Sequence, residues 1–182
     1  MADYNSEYTG AQIDDGVGRG IVRSFGWQDF QDTATATAPI SLANIDTWYD
    51  ITNNALGPLS STTYKVADHG TIWDASTNTF DFSTLKVGDL VRFRTDMVFT
   101  TSGSNREIFT RLAYGPSFSW AFSLGSRYIR YSGDTQETRY MAFTIKSAEA
   151  QQNPAKIQCL SDAPGSEVVV NGWQVETQVF VP

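Results

Sequence analysis

Alternation of apolar and polar residues over eleven positions is the feature that most constrains the fold of this chain. In LVRFRTDMVFT, one face carries Val91, Phe93, Thr95, Met97 and Phe99, and the other face carries two arginines and an aspartate. Side chains repeat every two residues in a β-strand and every 3.6 residues in a helix, so a helix would spread this pattern around its whole surface. The segment is therefore predicted to be a strand with one face in a core.

The same period returns in later segments. REIFTRLAY, FSWAFSL and WQVETQVFV alternate in this way, and ETRYMAFTIK places Met141, Phe143 and Ile145 on one face. The residues expected on the core face of FSWAFSL are Phe118, Trp120, Phe122 and Leu124. Turn-forming residues separate these segments at intervals of roughly 8–12 residues, which predicts about eight to ten strands. After Ile45 no convincing helix is found, so the predicted fold is all-β: an antiparallel, jelly-roll-like β-sandwich.

The beginning of the chain is different, and residues 1–33 are predicted to form an anchoring arm with a short helix, followed by a sandwich domain over residues 34–182. Thr9 and Gln12 can form a capping box at the start of this helix. Three glycines within five residues then weaken it by about 1 kcal/mol each. Such a helix would be marginal alone, so we expect the arm to order against copies of itself or another surface. The residues predicted to make this contact are Tyr8, Ile13, Val17, Ile21 and Val22.

Several large side chains fall on strand faces that a solitary sandwich would leave in water. They are Leu90, Phe109, Tyr140 and Phe180. Burial against neighbouring subunits would account for them, and the arm needs a partner for the same reason. We therefore expect a homo-oligomer, most simply a homotrimer.

Charge and hydropathy exclude several classes of partner. The formal net charge is −7 and no basic cluster is present, so nucleic acid and anionic membrane surfaces are not expected partners. No apolar run approaches the ~18 residues of a transmembrane helix, and no secretory leader is recognisable. Membrane insertion is not expected, and synthesis in a cytoplasm is. The one cysteine, Cys159, excludes an internal disulfide and lies in an apolar alternating run, where a buried thiol is expected.

The sequence offers little that points to catalysis. His69 is the only histidine, and no GxSxG motif accompanies it, so it is expected to be a satisfied or exposed turn residue. The carboxylates are scattered through turns and polar faces. No catalytic, cofactor-binding or metal-binding residue is therefore predicted. Trp48, Tyr49 and Trp73 are candidates for stacking on a glycan, with packing in the core as the alternative for each.

Two parts of the chain resemble a known class of proteins. The opening YTGAQIDDGVGRGI resembles the YTG-A-x-ID-x-x-V segment near the start of many tailed-bacteriophage virion proteins, which are tail fibres, head fibres or capsid decoration proteins. LKVGDLVRFRTDMVFTT, NREIFTRLAYG and NPAKIQCLSDAPGSEVVVNGWQVETQVFV are similar to the C-terminal module of such proteins. The resemblance covers the arm and roughly residues 80–181.

The resemblance implies a non-enzymatic virion protein without cofactors, displayed on the particle surface as a trimeric sandwich knob and held there by its N-terminal segment. Its expected partners are its own copies and the major capsid protein or other virion proteins. The first interpretation is a homotrimeric capsid decoration or head-fibre protein, made in the host cytoplasm. The alternatives are a tail-fibre or receptor-binding knob that recognises a host surface glycan, and a small β-sandwich glycosidase or lyase.

Overall fold

A computed structural model of the chain describes residues 22–180. Four of the five residues predicted to make the arm contact, Tyr8, Ile13, Val17 and Ile21, lie outside the described residues, as does the whole predicted arm helix. The fifth, Val22, is the first residue of the first strand, and its side chain is outside the description.

Residues 22–180 form eleven strands, one short α-helix and one 3₁₀ turn. The strands are β1 (Val22–Gln31), β2 (Ile40–Leu42), β3 (Tyr49–Asp50), β4 (Trp73–Asp74), β5 (Thr79–Phe80), β6 (Leu90–Thr101), β7 (Arg106–Tyr114), β8 (Trp120–Ile129), β9 (Gly133–Thr144), β10 (Lys156–Ser161) and β11 (Ser166–Phe180). The helix is α1 (Ala148–Gln152), and the 3₁₀ turn covers Pro116–Phe118.

Two antiparallel sheets form a sandwich. Sheet A has the order β1-β11-β6-β9, with β2 pairing to one end of β11, and sheet B has the order β3-β10-β7-β8. Most neighbouring strands are far apart in the chain, and β7–β8 is the one pair in these two sheets that is consecutive in sequence, as expected for the long Greek-key connections of a jelly roll. The predicted all-β, jelly-roll-like sandwich is confirmed. The strands β8 and β9 follow each other in the chain and lie at the edges of opposite sheets.

The longest alternating segment forms the centre of sheet A. Its predicted inward residues on β6, from Val91 to Phe99, are all buried. Phe93 lies beside Val175 of β11 and Met141 of β9 in the strand register. The core is rich in aromatic rings around Phe80, which is fully buried. The period-2 prediction therefore placed the core face of this strand correctly.

The core aromatics contact each other at close range. The ring of Phe80 lies 4.7 Å from the rings of both Trp73 and Phe93, measured between centroids. Trp173 of β11 joins from sheet A at 5.8 Å from Trp73. These rings come from β4, β5, β6 and β11, so the small β4–β5 hairpin is packed directly onto the core.

Buried amides attach the long connection between β3 and β4 to the sandwich. Gln28 donates from Nε2 to the Gly70 carbonyl at 3.1 Å and accepts at Oε1 from the Ile72 amide at 3.1 Å. Asn53 donates from Nδ2 to the Phe30 carbonyl at 2.7 Å. Because buried polar groups without partners are costly, these bonds fix the connection in one position.

The sandwich begins earlier than the sequence predicts. Strand β1 pairs with β11 along its length, so residues 22–31 belong to sheet A and not to an arm of residues 1–33. The alternation was hidden because Gln28 occupies a core position where an apolar residue is usual. Gly26 is needed here because the β3–β4 connection crosses it: an added Cβ would lie 2.5 Å from the Val66 nitrogen.

A helix does occur after Ile45, contrary to the prediction. Helix α1 has five residues, and the Ser147 hydroxyl caps it by accepting from the Ala150 amide at 3.1 Å. So short an element contains little more than one turn, so no 3.6-residue pattern can be read from it. Within residues 22–180, no helix is both long and apolar enough to cross a bilayer.

Candidate functional site

The three aromatic residues proposed for glycan stacking do not share a surface. Trp73 is only 3% exposed and lies in the core, where its indole Nε1 donates to the Asn53 carbonyl at 2.9 Å. It cannot offer a ring face to a sugar. The ring of Tyr49 packs against the core, while its hydroxyl accepts from the Asn44 amide at 2.8 Å. Trp48 is half-buried, and the guanidinium of Arg111 lies 4.0 Å above its ring.

The histidine is buried between the β3–β4 connection and sheet A. Nδ1 of His69 lies 3.0 Å from Oγ1 of Thr177, and Nε2 lies 3.6 Å from Oδ2 of Asp89. These are the three groups of a nucleophilic triad, but the Thr177 side chain is only 2% exposed. A substrate has no contact surface on that hydroxyl, so the arrangement links the connection to β11 and is the satisfied turn histidine that the sequence predicts.

Burial lowers the pKa of His69 below its ordinary value of 6.5, and the opposing attraction of Asp89 is the smaller effect. Below pH 6.5 the unfolded chain therefore binds a proton that the native protein does not, so the free energy of unfolding falls as the pH drops from about 6.5 toward the native pKa. The chain has one histidine, so a single imidazole signal in an NMR titration reports this directly. A His69→Gln variant should lose that part of the pH dependence of unfolding. A native titration midpoint above 6.5 would contradict the prediction.

The cysteine is fully buried, as expected. Burial raises the pKa of Cys159 to about 12, although the nearby Thr110 hydroxyl partly opposes this. Because only the thiolate is nucleophilic, the native protein should not react with a disulfide reagent such as dithionitrobenzoate at pH 8. One equivalent should react promptly after unfolding in guanidinium. Rapid reaction of the native protein would show that the strand pairing around β10 opens readily.

Metal coordination finds no support within residues 22–180. No group of three or more histidine, cysteine, aspartate or glutamate side chains there is placed to share an ion. The carboxylate of Asp74 instead accepts from the Ser76 hydroxyl at 2.7 Å, the Ser76 amide at 2.8 Å and the Thr77 hydroxyl at 2.9 Å, and these bonds lower its pKa. The Asp74 side chain therefore stabilises the turn in which it lies.

The most distinctive surface feature of the described chain is an apolar slit between the edge strands β8 and β9. We call it the β8–β9 slit, and its volume of about 500 Å³ lies within the range of roughly 300–1,000 Å³ that ligand pockets occupy. Its walls are aromatic rings from both sheets, and its rim is formed by the start of the α1 region. The lining side chains used below are Tyr114, Trp120, Phe122, Phe143 and Lys146.

The aromatic walls form a continuous stack. The ring of Phe122 is parallel to that of Tyr114 at 4.7 Å and lies 6.1 Å from that of Phe143 across the slit. Trp120 contacts Tyr114 at 5.6 Å. The sequence placed Trp120 and Phe122 on a core face, and they do point between the sheets. They are nevertheless 41% and 42% exposed, because no further strand or loop of residues 22–180 closes this side of the sandwich.

A tight turn at the end of β7 places Trp120 in the slit. Gly115 has φ of +79°, in the region that favours glycine, and an added Cβ would lie 2.4 Å from the Trp120 ring. Ser117 and Phe118 also have positive φ, at 52° and 56°. The turn is therefore specified by glycine and brings the indole against β7.

The other half of the space between β8 and β9 is charged. Glu137 is buried and lies between two arginines, with Oε1 2.9 Å from Nε of Arg139 and Oε2 3.6 Å from Nε of Arg127. Arg127 comes from β8 and the other two residues come from β9, so this cluster joins the two sheets at the end away from the aromatic rings. Charged side chains therefore close the gap between β8 and β9 at one end, and the apolar end stays open.

The exposed rings of the slit are suited to contact with another apolar surface. Half-exposed rings that are already stacked lose little conformational freedom on contact, which favours a protein–protein interface. Within residues 22–180, the edge strands β8 and β9 that adjoin it have no further strand on their outer edges, and such edges are usually covered in native assemblies. The alternation in FSWAFSL identified the aromatic residues of the slit, but it predicted that they are buried within one sandwich. The sequence therefore did not predict that this site is open.

Comparisons with known proteins give no sequence family and only distant structural similarities. No family model and no curated protein sequence matches the chain. Eiger TNF from S. frugiperda is similar in structure, with 10% identity over 88% of this chain and 96% of its own and a TM-score of 0.49. The PRD1 vertex protein P5 has 13% identity over 89% and 100%, with a TM-score of 0.39. Naturally empty particles of cowpea mosaic virus contain a chain with 12% identity over 87% and 82%, with a TM-score of 0.32. The jelly-roll β-sandwich is the feature shared with these proteins.

Proposed function

We propose that this protein is a non-enzymatic structural protein of a tailed-bacteriophage virion. In this proposal it is a homotrimeric capsid decoration or head-fibre knob, attached through residues 1–21 to the major capsid protein or another virion protein. The observation that carries the proposal is the open β8–β9 slit, which a solitary molecule leaves in water. The sequence resemblance of the opening segment and of the second half supplies the virion context.

The slit favours assembly of identical copies. Burial of apolar surface contributes roughly 25 cal/mol per Å², so two half-exposed rings per copy provide a driving force that recurs at each interface of a ring. A surface that meets a different surface of the next copy forms a closed ring when the rotation closes, and three copies are the simplest ring above a dimer. The unpaired edges of β8 and β9 are covered in the same contact.

The described chain begins at the edge of sheet A that is far from the slit. Its first residue, Val22, starts strand β1, and β9 forms the opposite edge of the sheet. In this proposal the stripe of Ile13, Val17 and Ile21, which precedes Val22 in the sequence, makes the attachment. Three arms in a trimer act together, so individually weak contacts can add to a tight attachment.

The test uses the full-length protein and particles that lack it. The wild type should be a trimer by mass photometry and should rebind to the particles, where microscopy of labelled protein locates it on the head. The double variant Ile13→Asp, Val17→Asp should remain a folded trimer and fail to rebind. Ala11→Asp, which adds one aspartate near the stripe in the sequence, should rebind normally.

Two results would refute the proposal. One is a wild-type protein that stays monomeric at micromolar concentration. The other is rebinding by the double variant that equals that of the wild type. Turnover of a polysaccharide by the purified protein would instead support the glycosidase alternative.

A further inference from the structure

The outer face of sheet A carries a row of planar polar side chains contributed by all four main strands. Asp29 of β1 pairs with Gln174 of β11, Gln174 pairs with Arg94 of β6, and Arg94 pairs with Tyr140 of β9. We call these four residues the polar row. Because they are register partners, they lie side by side across the sheet at the strand spacing of about 4.8 Å.

The polar row lies along a groove. Two hollows of about 340 and 470 Å³ occupy this face, and both are lined by Arg94 and Gln174. Gly172 deepens the second hollow, since the β11 strand bulges there and an added Cβ would lie 2.7 Å from the Phe30 carbonyl oxygen. The exposed Leu59 forms a wall at the β1 end. The two hollows therefore form one groove that crosses the sheet.

The groups in the groove are already held in place. Gln174 donates from Nε2 to Oδ1 of Asp29 at 3.0 Å, and Nε of Arg94 lies 2.9 Å from Oδ2 of Asp96. The guanidinium of Arg94 has further N–H donors, and the Gln174 amide has a carbonyl acceptor. The groove thus offers oriented donors and acceptors at fixed spacing.

The charges in the groove nearly cancel. Its lining includes Arg92 and Arg94 on the positive side and three carboxylates on the negative side, those of Asp29, Asp96 and Glu176. A polyanion such as nucleic acid or a phosphorylated ligand would find no excess of positive charge. A neutral ligand rich in hydroxyl groups is the class that can use donors and acceptors together, since each hydroxyl both donates and accepts.

One aromatic ring completes the groove. Tyr140 is 72% exposed at the β9 end of the polar row. An exposed ring beside oriented polar groups can cover the apolar C–H face of a sugar while its neighbours bond the hydroxyls, as aromatic residues with a polar tip commonly do at binding surfaces.

We propose that the outer face of sheet A binds a neutral saccharide along the polar row, with Tyr140 stacking on the sugar ring and Gln174, Arg94 and Asp29 bonding its hydroxyls. This function goes beyond the proposed structural role and uses a different surface from the β8–β9 slit. It also differs from the glycan site expected from Trp48, Tyr49 and Trp73.

The experiment is a glycan array probed with the full-length protein, followed by calorimetry with the strongest neutral oligosaccharide. Tyr140→Ala and Gln174→Ala should each weaken binding about 10-fold, because each removes a contact that the hydroxyls or the sugar ring need. Tyr131→Ala, which removes an equally exposed ring from the β8–β9 connection, should bind as the wild type does. Mass photometry of every variant checks the oligomeric state.

Three outcomes would overturn the inference. They are no binding to any neutral glycan, binding that both variants retain in full, and dissociation of the oligomer by Tyr140→Ala, which would assign this face to contact with a second copy. The structural proposal can be judged separately. A trimer without glycan binding leaves that proposal standing, whereas a monomer that binds the glycan refutes it and supports the saccharide groove.

Discussion

Phe122→Glu is expected to convert the proposed trimer into folded monomers. The ring of Phe122 lies at the centre of the aromatic stack, parallel to Tyr114, and it is half-exposed in a single copy. A carboxylate placed there would be buried without a partner when copies associate, at an effective cost of several kcal/mol at each interface. Since a closed ring repeats the interface, the penalty is incurred more than once per assembly. Within one copy the new carboxylate can reach water, so the sandwich itself should stay folded.

Mass photometry at a series of concentrations measures this effect, and circular dichroism with thermal unfolding confirms that the variant is folded. Leu56→Glu is the matched control, because it places the same charge on an exposed apolar residue of the β3–β4 connection, away from the slit. The control should remain trimeric. A Phe122→Glu protein that assembles as the wild type does would show that the slit is not the interface.

Phe80→Ala is expected to destabilise the protein by about 3–5 kcal/mol, a large part of the ~5–15 kcal/mol that stabilises a typical domain. Phe80 is fully buried, and its ring contacts Trp73 and Phe93 at 4.7 Å each. Its backbone also pairs with Ala155, which leads into β10. The neighbouring rings are held by separate strands and cannot collapse into the space, so a cavity would remain.

Urea unfolding at a fixed protomer concentration measures this loss as a lower transition midpoint, since assembly makes apparent stability depend on concentration. Tyr131→Ala removes a ring of similar size from the surface and should change the free energy of unfolding by no more than about 0.5 kcal/mol. Equal effects of the two substitutions would mean that the β4–β5 hairpin is not part of the cooperative core.

Local pattern was sufficient to predict most strands of the second half and the inward faces of β6, β7 and β11. It was wrong for Phe118, which lies in the 3₁₀ turn before β8 and not on the core face of that strand. The alternation from Val91 to Phe99 has one solution that buries five neighbouring positions, and the structure adopts it. Pattern failed where a polar side chain occupies the core, as with Gln28 in β1, and where an element is too short to show a period, as with α1. For Gln28 the missing information is its hydrogen-bond partners, Gly70 and Ile72, which lie more than 40 residues away in the chain.

The candidate surfaces were harder to predict from the sequence than the strands were. The alternation that includes Trp120 and Phe122 predicts an inward face, but whether the opposite sheet covers that face depends on the order of strands in both sheets. The polar row joins Asp29 to Gln174, which are 145 residues apart. Trp73 shows the converse, since an aromatic residue in a turn-rich segment looks available for a ligand until the hairpin that carries it is placed on the core.

The sequence by itself determined that this chain is a β-sandwich, because side-chain direction in a strand depends only on position along the strand. It also determined that the chain has a thiol expected to be buried and no excess of basic residues. The tertiary structure alone decided which edge stays open, which amides hold the long connection and which polar side chains share one face. Those properties depend on strand order and register, which are set by packing between segments far apart in the chain. They therefore produce no periodic pattern within any one segment of the sequence.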